Sequence, residues 1–332
     1  MDTVLEQVIA DVPSIDIDAA GECYKRLASL PVRQDGRLMY FAGRIAGVLG
    51  TLQPDILKKA VVIFAADHAV DGGENQTKGE RSREQALQIA AGRGHINKVA
   101  HQVGAGVLLL DMGLEQDIAE STGVQVLKVM KGSHFWAKGP AMTEDEMMDA
   151  MFSGLQIGES LADEGYQAVG LGNLGERALL TAFILTAAFL RSRIHEMPAV
   201  KGRERLEQIM ARLDSLHVHT DDPLDVLRCV GAPDIAAMTG FILAAARRRM
   251  LIVFDNAVTG AAVLVARALC PRIDDYIVPS AKYAEPVHQL QMNMLGLKAF
   301  FETTADVDQG MGSVIGLSLL DAAVDMMNRE LK

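Results

Sequence analysis

Ala168-Val169-Gly170-Leu171 runs into Gly172-Asn173-Leu174-Gly175, and an Ala- and Leu-rich segment of helical length follows from Glu176 to Leu190. A short apolar run without polar alternation, a glycine loop and then a helical pattern describe a strand buried on both faces that hands over to the helix covering it. The same order recurs along the chain. Val61-Val62-Ile63-Phe64-Ala65 precedes Asp67-His68, Val107-Leu108-Leu109-Leu110 precedes Asp111-Met112-Gly113, and Val124 to Val129 precedes Lys131-Gly132-Ser133. Leu251-Ile252-Val253-Phe254 precedes Asp255-Asn256, and Tyr276-Ile277-Val278 precedes Pro279-Ser280. Helical patterns lie between them, over Arg83 to Val103, Thr143 to Glu164, Ile235 to Arg248 and Val258 to Leu269.

Continuous apolar strands interleaved with helices predict an α/β fold, a doubly wound, mostly parallel sheet with helices on both faces. The first 40 residues and those after Glu285 show helical patterning with no strand. The expected organisation is therefore a small helical domain from 1–40 and 285–332 beside a large α/β nucleotide-binding domain over 41–284. Residues 191–225, richer in Arg, Glu, His and Asp, read as an exposed excursion.

The composition of the 332 residues sets outer bounds. Acidic residues outnumber Lys and Arg by 43 to 32, a net charge of −11. Without a basic cluster, this balance lacks the footprint of a nucleic-acid or acidic-membrane binder. Cys23, Cys229 and Cys270 are widely spaced and form no CxxC pair, so neither a disulfide framework nor a zinc knuckle is suggested, and a reducing cytoplasm is expected. The first residues lack a basic and an apolar region of signal type, and no stretch approaches the ~18 apolar residues of a membrane span.

In an open parallel sheet, ligands bind outside the carboxyl ends of the strands. Asp67-His68 then either orients a substrate or holds its loop. The backbone N–H groups of Gly172 to Gly175 either cradle a phosphate or form an ordinary tight turn. Asp255-Asn256 and Ser280 bind ribose hydroxyls or phosphate, or cap the following helices. His217 and His219, two apart as on one side of a strand, have no further ligands to complete a metal shell. The methionines read as core filler. No Gly-x-Ser-x-Gly elbow, P-loop or GxGxxG opening supports a hydrolase, NTPase or dehydrogenase.

Five motifs in this order, Ala66-Asp67-His68-Ala69-Val70, Gly139-Pro140-Ala141-Met142, Gly170 to Gly175, Ala237-Met238-Thr239-Gly240 and Asp308-Gln309-Gly310-Met311-Gly312, resemble the nicotinate-nucleotide:dimethylbenzimidazole phosphoribosyltransferase family. The similarity runs from about Gly36 to Leu320. The resemblance implies a dimer that uses no metal and no cofactor beyond its donor substrate, nicotinate mononucleotide, and transfers its 5-phosphoribosyl group to an aromatic base of a cobamide. It implies that Gly172, Leu174 and Gly175 hold the donor's phosphate and ribose, with Ser280 and Lys201 reaching the phosphate. Thr77 and Gln85 would line the acceptor-base pocket, with Asp67 and His68 at the substrate end of their strand.

The departures concern proton transfer. The family's general base is a Glu where this chain has Gln309, and a second Glu of the glycine loop is replaced by Asn173. Amides keep the hydrogen bonding of carboxylates but accept no proton near neutral pH. The family's Ser-His after the last strand is Ser280-Ala281 here. One branch of the family pairs two paralogous chains into a heterodimer that attaches ribose phosphate to phenol or p-cresol. The resemblance thus suggests a catalytically degenerate subunit supporting an active paralogous partner. The alternatives are an active homodimer in which water, Asp308 or a pre-ionised acceptor replaces the Glu, and a non-catalytic nucleotide sensor.

Overall fold

The computed structural model describes residues 2–30, 35–70, 79–191 and 203–331. Its sheet is built from β1 (Lys59–Ala66), β2 (Ala105–Gly113), β3 (Gln125–Val126), β4 (Ala168–Leu174), β5 (Leu251–Phe254) and β6 (Ile277–Pro279). Every neighbouring pair is parallel, in the order β3-β2-β1-β4-β5-β6. The order reverses between β1 and β4, and at that switch point a doubly wound sheet opens a crevice beyond its strand ends.

The helices in chain order are α1 (Thr3–Asp11), α2 (Ile17–Ala28), α3 (Gly36–Leu49), α4 (Glu80–Ala90), α5 (His95–Gln102), α6 (Glu144–Asp163) and α7 (Ala178–Leu190). They continue with α8 (Arg203–Ser215), α9 (Pro223–Val230), α10 (Pro233–Arg247), α11 (Ala257–Leu269), α12 (Pro286–Leu295) and α13 (Met311–Glu330). Strand alternation shows that both faces are covered. Phe64 of β1 meets Phe241 of α10 edge to face, with ring centroids 5.5 Å apart. Val61, three residues earlier and so on the opposite face, touches the start of α13. Among the described residues no helix is long and apolar enough to cross a membrane.

Two glycines of β4 explain how α13 sits so close to the sheet. A Cβ on Gly170 would lie 2.9 Å from the Ser313 side chain, and one on Gly172 would lie 3.0 Å from the backbone of Gln309 and Gly310. Ser313 fixes the contact further, its hydroxyl donating to the carbonyls of Leu171 (2.7 Å) and Val253 (3.2 Å). The helices of the two chain ends meet where α13 packs on α3, and α3 runs unbroken across residue 40, where the sequence suggested a boundary.

Several expectations need correction. A strand does follow Glu285: β8 (Glu302–Thr303) pairs in parallel with β7 (Lys282–Tyr283). The span 83–103 is two helices, because Gly92 adopts φ 72° and ends the first. The apolar run at 124–129 contributes only the two residues of β3. Within 191–225, α8 buries Leu206, Ile209 and Leu213 and packs on α7, so it is not a solvated excursion. His217 follows α8 at φ 54°, and neither it nor His219 lies on a strand.

Candidate active site

Beyond the carboxyl ends of β4 and β5 lies a cavity of about 350 Å³. Its floor is Asn173 and Gly175, its walls are the first residues of α7 and α11, and Asp306, Val307 and Asp308 close it from the segment leading into α13. Gly175 is required where the loop crosses β1, since a Cβ there would stand 1.6 Å from the Ala66 carbonyl oxygen. No larger residue fits that approach.

The start of α7 gives the cavity a positive end. The N-cap residue, Arg177, makes no capping hydrogen bond through its side chain, so it leaves the first N–H groups of the helix unsatisfied. Ala178 and Leu179 of that turn line the cavity. Arg177, in the left-handed conformation at φ 66°, lines it too, and its guanidinium donates to Glu115 Oε1 at 3.1 Å. A cation at a helix N-terminus opposes the helix dipole. The Glu115 carboxylate offsets that charge, and Arg177 still reaches the cavity wall.

The opposite side is a chain of amides and carboxyls. Asn256 Oδ1 caps α11 by accepting from Val258 and Thr259 N–H, and its Nδ2 donates to Asn173 Oδ1 at 2.7 Å. With that oxygen engaged, Asn173 offers the cavity N–H donors. The neighbouring Asp255 is wholly buried and bridges two helices: Oδ1 accepts from Thr259 Oγ1 of α11 (3.3 Å), and Oδ2 from Gly312 N (3.0 Å) and Ser313 N (3.2 Å) at the start of α13. Burial pushes its carboxyl up to about 7, against the pull of those N–H groups, and the negative charge of Asp308 adds to the rise.

Asp308 reaches solvent at the cavity mouth, and its Oδ1 accepts from Gln309 N at 2.8 Å. The protein crowded around it raises its carboxyl above the ordinary aspartate value, while the Gln309 N–H and the charge of Arg81 on α4 pull it down. Tyr283 and His288 complete the wall. Burial raises the Tyr283 phenol to about 12 and lowers the His288 imidazole, so both face the cavity uncharged near neutral pH. Among the described residues no cluster of three or more His, Cys, Asp or Glu could hold a metal ion.

A cavity beyond the carboxyl ends of two neighbouring strands of a doubly wound sheet, cationic at a helix start and lined with amides and carboxyls, suits a nucleotide with a reacting ring. A family profile described as phosphoribosyltransferase matches residues 12–331. The chain belongs to the nicotinate-nucleotide–dimethylbenzimidazole phosphoribosyltransferase family. It is 30% identical to the enzyme of that name from Prosthecochloris aestuarii, over 97% of this chain and 94% of the relative. It is 28% identical to the enzyme from Geobacter metallireducens, over 98% of this chain and 95% of the relative. The crystal structure of the Thermus thermophilus enzyme superposes with a TM-score of 0.84 at 29% identity, covering 94% of this chain and 96% of that one.

Within this phosphoribosyltransferase fold, the residues singled out by sequence fall into three groups. Asn173 and Gly175 line the cavity. Gly172, Leu174, Ser280 and Gln309 lie in or beside its elements and Gln85 lies on α4, and none of these is on its wall. Gly172 is paired with Ile63 inside the sheet, Leu174 is buried beside Ala65, and the Ser280 hydroxyl is turned to the Tyr283 hydroxyl at 3.0 Å. Gln85 is half-buried on α4, one turn from Arg81, and Gln309 presents its backbone to Gly172 in a left-handed turn at φ 56°. Thr77 and Lys201 lie outside the described residues.

Asp67 and His68 form the third group, both wholly buried behind the cavity. Asp67 accepts from Ser82 Oγ (2.5 Å), Glu115 N (2.9 Å) and Glu176 N (3.0 Å), tying together α4, the loop after β2 and the turn into α7. His68 spans Thr181 Oγ1 at 2.8 Å and Asp234 Oδ2 at 3.2 Å. The pair holds the loops around the cavity in place. Arg177 and Tyr283 were not singled out from sequence. The signal for Arg177 was its place two residues after Gly175, at a helix start where the dipole disfavours a cation; for Tyr283 there was none.

Proposed function

We propose that the chain binds nicotinate mononucleotide in this cavity and transfers its 5-phosphoribosyl group to an aromatic base, a benzimidazole or a phenol such as p-cresol, in the making of a cobamide lower ligand. The observation that carries this reading is the uncapped start of α7 beside Arg177, an anion site opening onto the same cavity as Asn173 and Asp308. The donor's phosphate would sit at α7, its ribose by Asn173 and Asn256, and its nicotinate towards the mouth. The donor ring is a pyridinium, so it leaves as a neutral base while positive charge develops on the ribose. The chain's part is to hold both rings in line and to take one proton from the acceptor.

A second reading rests on Asn173 and Gln309. Neither side chain accepts a proton, and Gln309 is off the cavity wall. The chain would then be the degenerate subunit of a heterodimer whose paralogous partner carries the glutamates. One experiment separates the readings: the purified chain is incubated with nicotinate mononucleotide and either dimethylbenzimidazole or phenol, and released nicotinate is followed. Turnover by the chain alone supports the first. Donor binding without turnover, with activity restored on adding a glutamate-bearing paralogue, supports the second.

A further inference from the structure

We infer that Asp308 is the group of this chain that removes the acceptor's proton. The inference rests on the transfer reading and adds the atom at which the proton is received.

Gln309 and Gly310 make consecutive left-handed turns, at φ 56° and 83°, and their backbone is seated against Gly172. That seat is fixed by α13, whose first N–H groups are held by the buried Asp255. The backbone path places residue 308, and not residue 309, on the cavity wall. Asp308 is itself anchored: its carbonyl accepts from Met311 N at 3.0 Å, and its Oδ1 from Gln309 N at 2.8 Å. Oδ2 makes no hydrogen bond among the described residues.

The surroundings divide the work between two carboxyls. Asp255, behind the wall, is held near half-protonation at neutral pH, and Asp308's charge is one of the causes. Ionising both fully side by side is disfavoured. Asp255 therefore takes up the neutral form first and leaves the charge on the carboxylate that faces the cavity. Crowding raises the Asp308 carboxyl against the weaker pulls of the Gln309 N–H and the Arg81 charge, which makes it a stronger base than a free aspartate. The other titratable groups of the wall are Arg177, Glu285, Asp306, Tyr283 and His288. Glu285 is committed to capping α12 through Val287 and His288 N–H, while His288 is wholly buried, its Nε2 donating to the Ala281 carbonyl at 3.2 Å and its Nδ1 left unpaired and out of solvent.

The step balances without a further reactant. A lone pair of the acceptor's oxygen or nitrogen forms the new bond to C1′ of the ribose. The bond from C1′ to the nicotinate ring nitrogen breaks, its electron pair discharging the pyridinium. The acceptor's O–H or N–H proton passes to Asp308 Oδ2.

The test uses the purified full chain, its Asp308→Asn variant and two acceptors, phenol and p-nitrophenol, the latter already ionised at pH 8.5. With phenol, Asp308→Asn is expected to lower kcat about 10²- to 10⁴-fold, while nicotinate mononucleotide binding measured by calorimetry stays within about twofold. With p-nitrophenol, which has no proton to give, the variant should recover most of the wild-type rate. The acid limb of the wild-type kcat profile should be absent from the variant. Equal losses with both acceptors, or no loss with either, would overturn the assignment. So would donor binding without turnover by the unaltered chain, which places the chemistry on a partner. Absence of donor binding by the unaltered chain would instead remove the transfer reading, and this inference with it.

Discussion

The carboxyl of Asp255 accepts from two N–H groups of α13 and still titrates near neutrality, so its main effect on the fold is electrostatic. Its folded pKa, about 7, lies above the ordinary aspartate value of about 3.9. Between those values the folded chain holds a proton that the unfolded chain has released. Stability is therefore highest at the acid end and falls as pH rises, by up to about 1.4 kcal/mol per unit from this one group. Asp255→Asn keeps an oxygen for Gly312 and Ser313 N–H but carries no titrating group. The difference in thermal midpoint, variant minus wild type, should grow in the variant's favour from pH 5 to pH 8. Parallel curves across that range would show that Asp255 is not the titrating group. Arg177 makes the second prediction at this scale. Arg177→Met leaves the α7 dipole and removes the guanidinium, and a charged hydrogen bond is worth about 1.5–3 kcal/mol. The dissociation constant for nicotinate mononucleotide, measured by calorimetry, should rise about 10- to 100-fold.

Among the helices, α6 and α10 pack more closely than ordinary side chains allow, and glycines make this possible. A Cβ on Gly154 of α6 would stand 1.8 Å from the Ala237 carbonyl oxygen of α10. Gly154→Ala must push the helices apart and should cost about 1–3 kcal/mol in urea unfolding. Gly21 of α2 is the contrasting case, exposed and with nothing within 4 Å of its would-be Cβ. Gly21→Ala should stabilise by about 0.5–1 kcal/mol through helix propensity and the loss of unfolded-state freedom. If the two changes shifted stability alike, helix crowding would not be the cause. The same distinction shows what the sequence makes legible. Leu251–Phe254 is apolar throughout and is a strand between those very residues, because burial on both faces writes itself into composition. Gly170 and Gly172 are as visible, yet their cause is the distant start of α13, which no local pattern contains. β8 is two exposed or half-exposed residues whose only reason to be extended is β7. Asp308 is visible beside the lost glutamate in the sequence, but the left-handed path through Gln309 and Gly310, which turns residue 308 and not 309 to the cavity, is not.

At the level of the whole molecule, the cavity is assembled from β4, the starts of α7, α11 and α12, and the segment before α13. A ligand there binds only the folded chain, so at one hundred times its dissociation constant it should stabilise by about 2.7 kcal/mol. Nicotinate mononucleotide should therefore raise the thermal midpoint by several degrees, and Arg177→Met should reduce the rise at equal ligand concentration; an equal rise in both would place the ligand elsewhere. The seating of α13 also bears on how the protein comes to be made. On the ribosome, all six strands of the sheet emerge before residue 311, yet the part of the face around Val61 and Gly170, beyond the stretch that α5 covers on β2, stays open until α13 arrives. Contacts between residues 61 and 310, and between 255 and 312, close across long stretches of chain and form late. The nascent chain thus carries an apolar stretch of sheet that waits for α13 to shield it. Since that segment also delivers Asp308 to the cavity, the moment the face is protected from aggregation is the moment the site becomes whole.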